Sequence, residues 1–260
     1  MLKRKNSKLI ALTLVLLIAL IALCGCGEQF ARNKAKNSWS KSYEERIEAN
    51  NEYLSKYPDG EYAEEARAQL DLSYIGLARK SQTIDGYKTY VEKCPEGEYV
   101  DEALIAIAAL GQGFPEAAIY GRKGDEPVRI IIIKKFQQDN STIEMYEYHE
   151  WNDKLPAELT CATFYEASLY IIVQDNFIYY DSQQYSNGKE LMGYKVESNI
   201  EIREAKTGEI LYAGILEGSK PVFPYSIPSN KYPTVKGSPV SYESFKDWLD
   251  DAFHELSIVE

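Results

Sequence analysis

Three short motifs in the sequence contain residue types that could form a serine acyl-transfer site. Ser38 and Lys41 are three residues apart, so Lys41 could activate Ser38 as a nucleophile if both lay on the first turn of a buried helix. The other two motifs are Tyr185-Ser186-Asn187 and Lys206-Thr207-Gly208. Together these residues point to covalent hydrolysis, provided that the fold brings the motifs together.

In this order, the three motifs resemble the signatures of penicillin-recognising serine hydrolases, which implies Ser38 as the nucleophile. The surroundings argue against this interpretation. Ser38 follows Cys26 by only 12 residues in a polar segment, and the second and third motifs are 19 residues apart, whereas that family has a long intervening segment. We therefore predict that the protein is not an enzyme, that it has no catalytic residue, and that Lys206-Thr207-Gly208 is a hairpin turn. An envelope hydrolase is a rival hypothesis.

Other catalytic and metal-binding residues are scarce. The chain has two histidines, His149 and His254, which leaves little material for a serine–histidine or cysteine–histidine pair. Near the C-terminus, one helical face carries Asp247, Asp250, Asp251 and His254. We predict that this face is simply solvated, with a divalent metal site as the alternative. The sequence predicts no resident metal and no cofactor.

The N-terminal 25 residues have the layout of an export signal. Basic residues at Lys3, Arg4, Lys5 and Lys8 precede an apolar run over 9–23 that only Thr13 interrupts. Because basic residues stay on the cytoplasmic side, we expect the rest of the chain to be exported. The alternative is an uncleaved signal anchor, since 9–27 is just long enough to cross a bilayer as a helix.

The apolar run ends in Leu23-Cys24-Gly25-Cys26, which resembles the bacterial lipobox. In a lipobox, a leucine three residues before the cysteine and a small residue just before it mark the cleavage site. The resemblance implies that the mature protein begins at Cys26, whose thiol carries the lipid. Localisation is therefore predicted to be at a membrane, on its extracytoplasmic side.

Composition and charge restrict the ligands. The 260 residues are 45% hydrophobic and 27% charged, which is typical of a globular protein of one or two domains. Removing 1–25 leaves 25 basic and 40 acidic residues, a net charge of −15. Phosphate backbones need a basic surface, so nucleic acid is excluded as a main ligand.

Only two cysteines, Cys94 and Cys161, remain beyond the signal. Two are too few for a disulfide framework, and each lies in a largely apolar segment. We predict two buried thiols, although an oxidising location also permits a bridge between them.

An internal repeat occupies the first half of the chain. Residues 47–70 align without gaps with residues 84–107, at an offset of 37. Apolar residues recur at helical spacing on both sides of a proline and a glycine, so each copy is predicted to be a helical hairpin. The residues of the first copy that are identical in the second are Ile47, Tyr53, Lys56, Pro58, Gly60, Glu61, Tyr62, Glu65 and Ala66.

The segments 57–66 and 94–103 resemble tetratricopeptide repeats, in particular those of envelope lipoproteins that serve outer-membrane assembly and cell-envelope coordination. This resemblance covers 41–110 together with the signal, and it implies protein–protein binding by the repeats. The candidate partner-binding residues are Tyr53, Tyr62, Tyr90 and Tyr99. Glutamates on these helices are predicted to form a solvated face, with contact to a basic partner as the alternative.

The second half of the chain changes to a β pattern. Strands are predicted over 128–136, 142–149, 168–174, 177–181, 194–204 and 209–217, with a hairpin turn at Asp175-Asn176. We expect an antiparallel sheet covered by a final helix from about Ser241, because apolar residues there share one helical face. Those residues are Tyr242, Phe245, Leu249, Phe253 and Leu256.

These patterns predict an α+β protein. The predicted parts are a lipoprotein signal over 1–25, a tether over 26–40, a repeat module over 41–110, a linker over 111–127 and a β-rich domain with a C-terminal helix over 128–260. The expected function is a lipid-anchored adaptor or scaffold that binds another envelope protein through its repeats. The alternative is a surface lipoprotein that binds a solute or polymer through the tyrosine-rich β domain.

Overall fold

A computed structural model describes residues 27–117, 128–137, 144–226 and 234–258. The predicted signal, Cys26 and residues 118–127 of the predicted linker lie outside the described residues. The chain forms two compact units. The repeat unit contains residues 27–81 and Thr89–Val100, and the sheet unit contains Gln82–Lys88 and the chain from Asp101 onward.

Five helices precede the sheet, and they confirm the α+β fold class together with the strands that follow. Helix α1 covers 27–37, and a short 3-10 turn, Ser38–Ser40, follows it. The others are α2 (Tyr43–Lys56), α3 (Ala63–Ser81), α4 (Ile84–Lys93) and α5 (Val100–Ala109). Helix α2 begins with a capping box, in which Ser42 accepts a hydrogen bond from Glu45 N and Glu45 accepts one from Ser42 N.

Helix α1 replaces most of the predicted tether. Its Ala35 is fully buried, and Ala31 and Ala35 pack against the cluster that contains Tyr53 and Tyr62 of the first repeat. Small alanines let α1 lie close to those rings, so the packing stabilises a helix where the polar composition predicts a short tether.

The sheet is mixed, with strand order β2-β1-β3-β4-β5. The strands are β1 (Ile130–Gln137), β2 (Glu144–Tyr148), β3 (Leu169–Gln184), β4 (Glu190–Glu204), β5 (Ile210–Glu217) and β6 (Thr234–Lys236). Three neighbouring pairs are antiparallel as expected, whereas β1 with β3 and β6 with β4 are parallel.

Strand β3 corrects the predicted turn at Asp175-Asn176. The strand runs through both residues, and Asp175 lies opposite Ser198 in the antiparallel ladder with β4. The local turn signal is overridden because all 15 residues of β4 pair with β3, with one irregularity between Tyr179 and Asp181. Beyond Gln174, β3 leaves its partner β1 and continues with β4 as a ribbon.

Helix α6 (Tyr242–Ile258) covers one face of the sheet. Its buried Phe245, Leu249 and Ala252 pack against alternate residues of β1, β3 and β4. The predicted stripe is therefore confirmed, since Tyr242, Phe253 and Leu256 also contact this core.

The opposite sheet face carries an aromatic cluster around Tyr170. Phe114 and Phe164 lie edge-on to each other, with ring centroids 5.1 Å apart, and Phe164 stacks on Tyr170 at 4.9 Å. Phe114 N also donates to the Ala205 carbonyl, so 111–117 of the predicted linker are packed in the sheet unit. Among the described residues, no helix combines the length and the hydrophobicity that a bilayer span requires.

Candidate functional site

The hydrolase-like motifs do not assemble. Ser38 is buried in the 3-10 turn, and its hydroxyl donates to the Ala35 carbonyl at 2.6 Å. The segment Tyr185–Asn187 lies in the turn before β4, and Lys206–Gly208 lies in the turn after it. The 15 residues of β4 separate these turns by about 45–50 Å at the usual rise of an extended strand.

The segment Lys206-Thr207-Gly208 is a hairpin turn, as predicted. Gly208 has a positive φ of 76°, and its N–H donates to the Glu204 carbonyl at 2.8 Å. Thr207 Oγ1 donates to Glu204 Oε2 at 2.6 Å and accepts from Glu209 N at 3.2 Å. These bonds use the threonine hydroxyl to close the turn.

Tyr53 closes the loop of the first repeat. Its hydroxyl donates to Glu28 Oε1 on α1 at 2.7 Å and accepts from Tyr62 N at 3.0 Å. The same carboxylate oxygen accepts from Glu61 N at 2.8 Å. One acidic side chain and one phenol thus satisfy two backbone donors at the start of α3.

The second repeat contains the same arrangement. Tyr90 OH donates to Asp71 Oδ1 on α3 at 2.7 Å and accepts from Tyr99 N at 2.9 Å, while Asp71 Oδ2 accepts from Glu98 N at 3.1 Å. In each copy the acid comes from the helix that precedes the repeat. Helix α1 therefore supplies the acidic residue for the first repeat, as α3 does for the second.

These contacts correct the prediction that Tyr53, Tyr62 and Tyr90 bind a partner, whereas Tyr99 keeps part of its surface exposed. Tyr53, Tyr62 and Tyr90 are at most 1% exposed, and burial raises the pKa of each phenol. Tyr62 OH also accepts from Trp39 Nε1 at 3.1 Å. Tyr99 is half-buried beneath the Arg79 guanidinium, 4.9 Å from its ring centroid. The three buried tyrosines are structural, because they have almost no surface to offer a partner.

An open groove lies between α1 and α2 in the repeat unit. Its volume is about 460 Å³. Phe30 lines it and is 76% exposed, while Lys34 is bound to the Glu52 carboxylate. Lys34 and Lys56 together lower the pKa of Glu52 to about 2. The lining residues are Phe30, Asn33, Lys34, Asn37, Ser38, Lys41, Glu45, Glu48 and Ala49.

A second concavity, which we call the polar pocket, lies in the sheet unit and has a volume of about 340 Å³. Lys134, Asp175 and Ser198 project into it from β1, β3 and β4, on the face that α6 covers farther along. The Ser198 hydroxyl donates to Asp175 Oδ1, and Ser198 is 1% exposed. The other lining residues are Glu147, Tyr148, His149, Glu150, Trp151, Pro239 and Val240.

His149 is held rigidly at the polar pocket. Its backbone N–H donates to the Ile132 carbonyl at 2.9 Å, and its Nδ1 accepts from Trp151 N at 3.1 Å. Asn152 ties the same turn to β1 through both Ile132 N and Ile132 O. Burial, with a contribution from the nearby Lys134 ammonium, lowers the pKa of His149 to about 4. The imidazole is therefore neutral at pH 7 and carries its proton on Nε2.

The lowered pKa of His149 predicts a loss of stability in mild acid. Between about pH 6.5 and 4 the unfolded chain binds a proton that the folded chain rejects, so stability falls as the pH drops. From pH 7 to pH 5 we expect His149 to account for a loss of about 2 kcal/mol. Urea unfolding at both pH values should show a correspondingly smaller loss in His149→Asn. The exposed control, His254→Asn, should keep the full loss, and an unchanged loss in His149→Asn would contradict the assignment.

Both cysteines beyond the signal are free thiols. Burial raises the pKa of Cys94 and of Cys161 to about 11, so neither is a reactive thiolate at neutral pH. Asp247, Asp250, Asp251 and His254 are all exposed on α6. In the described part of the chain, no group of three or more metal-ligating side chains is arranged to hold an ion.

Comparison with protein-family models, with curated proteins and with solved structures finds no match to this chain.

The structure identifies residues that the sequence did not indicate. Glu28 and Asp71 escape the repeat alignment because they are 43 positions apart, not 37. Asp175 and Ser198 were missed because Asp175 was assigned to a turn. The sequence signal for this site was Asp175, a polar residue that continues the alternating, core-facing positions of an apolar strand.

Proposed function

We propose that the protein is a lipid-anchored cell-envelope adaptor that holds a segment of another envelope protein in the groove between α1 and α2. The lipobox-like sequence at Leu23–Cys26 supports membrane attachment, and the resemblance to tetratricopeptide repeats supports protein binding. The observation that carries the proposal is the open groove with the exposed ring of Phe30 at its edge.

The chemistry of the groove suits an extended peptide. Phe30 offers an apolar anchor of the kind that dominates binding energy at protein interfaces. The amides of Asn33 and Asn37 can pair with peptide backbone, since each both donates and accepts. Lysines and glutamates both line the groove, so a partner segment of mixed charge is expected.

In-cell cross-linking followed by mass spectrometry tests the adaptor role. The tagged full-length protein should capture specific envelope proteins, and Phe30→Ala should reduce that capture about tenfold or more, because a truncated aromatic anchor typically costs 2 kcal/mol or more. The matched control is Phe177→Ala, which removes an exposed phenylalanine of the sheet unit and should leave the capture unchanged.

Two further results separate anchoring from binding. Cys26→Ser should release the protein from the membrane or leave it unprocessed, without removing the ability of the groove to bind a partner. Equal capture by the wild type and Phe30→Ala would contradict the proposed groove. Loss of capture in Phe177→Ala alone would move the partner surface to the sheet unit.

A second candidate function is binding of a solute or polymer by the sheet unit. The polar pocket favours it, because Lys134, Asp175, Ser198 and His149 converge there from four separate segments. Convergent polar groups in a concavity are typical of small-molecule sites.

A further inference from the structure

The unpaired donor of His149 is the starting point. His149 is 8% exposed, and Trp151 N–H occupies its Nδ1. Among the described residues, none accepts a hydrogen bond from Nε2, although His149 lines the polar pocket. Of the polar side-chain atoms in the described residues, only Tyr170 OH is both fully buried and unpaired, so His149 Nε2 is accessible from the pocket. It can therefore donate a hydrogen bond to a ligand or a water in the pocket.

Hydrogen-bond acceptors line the same pocket as this donor. Ser198 occupies Asp175 Oδ1, which leaves Asp175 Oδ2 to accept from a ligand. Glu147 and Glu150 also line the pocket, and the Lys134 ammonium lies 3.6 Å from Glu147 Oε1. The pocket therefore presents fixed donors and fixed acceptors together.

The charges exclude several ligand classes. Three carboxylates face one lysine and a neutral imidazole, so a phosphate or carboxylate ligand would be repelled. A metal ion is disfavoured because Nε2 bears a proton and Lys134 bears a positive charge. A flat aromatic ligand would lack a stacking partner in Trp151, which is 4% exposed and already stacks on Phe245.

Hydroxyl groups match the fixed donors and acceptors of the pocket. A hydroxyl donates and accepts at once, so one hydroxyl can accept from His149 Nε2 while it or its neighbour donates to Asp175. The pocket volume, about 340 Å³, is at the small end of the range for small-molecule sites. We propose that the polar pocket binds a neutral sugar ring, with His149 Nε2–H and Asp175 as the groups that recognise adjacent hydroxyls.

Calorimetric titration of the full-length protein in detergent tests this assignment. The probes are glucose, galactose, mannose and N-acetylglucosamine, beside inorganic phosphate and calcium as ligands of other classes. At least one sugar should bind, whereas phosphate and calcium should not. His149→Asn keeps an acceptor for Trp151 N–H and removes the Nε2 donor, and Asp175→Asn keeps an acceptor for Ser198 and removes the charge.

Each variant should weaken sugar binding about tenfold or more, as expected for a lost hydrogen bond to a buried or charged group. The control His254→Asn, on the exposed face of α6, should bind as the wild type does. Thermal unfolding of each variant establishes that it is folded. If no sugar binds, if both variants bind sugar as the wild type does, or if phosphate or calcium binds instead, the proposal is overturned.

Oligosaccharides of the sugar that binds distinguish its source. A tetrasaccharide that binds more tightly than the monosaccharide would indicate a glycan chain, and equal affinities would indicate a free solute. This site lies in the sheet unit, so its failure would leave the adaptor groove untouched, and the reverse also holds.

Discussion

Replacing Phe245 with alanine is expected to lower the free energy of unfolding of the sheet unit by about 3–5 kcal/mol. Phe245 is fully buried, and its ring stacks on Trp151 with centroids 4.5 Å apart. The rings of Tyr242 and Trp248 each lie 6.2 Å away. Truncation would leave a cavity at the centre of the contact between α6 and the sheet, since rigid neighbouring rings cannot collapse into the space.

Urea unfolding followed by tryptophan fluorescence measures this loss. Trp151 and Trp248 both contact Phe245, so their emission reports directly on the packing of α6. Val222→Ala is the matched control, because Val222 is 82% exposed and its truncation should change stability by less than about 0.5 kcal/mol. A Phe245→Ala loss below about 1 kcal/mol would show that α6 is not needed to close the core.

Replacing Gly97 with alanine should destabilise the repeat unit by about 2–4 kcal/mol, because overpacking and a lost buried hydrogen bond each cost about 1–3 kcal/mol. An added Cβ would collide with Tyr90 OH and with Asp71 Oδ1, and would lie 3.0 Å from the Cys94 carbonyl. The bonds among Tyr90, Asp71 and the loop would have to separate. At Gly60 the added Cβ would meet the corresponding Tyr53 OH and Glu28 Oε1. Gly60→Ala should cost less, because the longer Glu28 side chain can move away more easily than Asp71.

A double-mutant cycle with Tyr90→Phe tests the cause. Tyr90→Phe removes the hydroxyl that the new Cβ would strike, so Gly97→Ala should cost less in that background than in the wild type. Thermal and urea unfolding of the four proteins gives the coupling. Strictly additive effects would show that Gly97 is required for another reason.

The repeats show which features can be predicted from local sequence and which cannot. The helices of both copies were predictable because a proline and a glycine interrupt helical spacing at the same place in each. The contacts that stabilise these helices were not predictable. Tyr53 and Tyr90 donate to acidic residues on preceding helices, and their separations along the chain do not follow a helical period. The tyrosines that recur in both copies were predictable as important residues, but Tyr53, Tyr62 and Tyr90 are buried and therefore have a structural role.

In the sheet unit, the buried face of the last helix could be predicted from sequence, but the pairing of the strands could not. The stripe of α6 was predictable from its own residues, since a helix buries a face set by local spacing. The parallel pairing of β1 with β3 was not, because it joins residues about 39 positions apart and depends on competition among all strands. The polar pocket depends on that pairing, which brings Lys134 beside the strand that carries Asp175.

Helix α1, described from residue 27, limits how far a chain lipidated at Cys26 could reach. A flexible segment over 26–40 would have an r.m.s. length of about 20 Å, enough to explore a wide volume above the bilayer. Residues 27–37 instead form a helix packed on the first repeat, so they do not contribute to a flexible tether. If Cys26 carries the lipid, the groove beside Phe30 would lie close to the headgroups, and it could take up only those partner segments that come down to the bilayer surface.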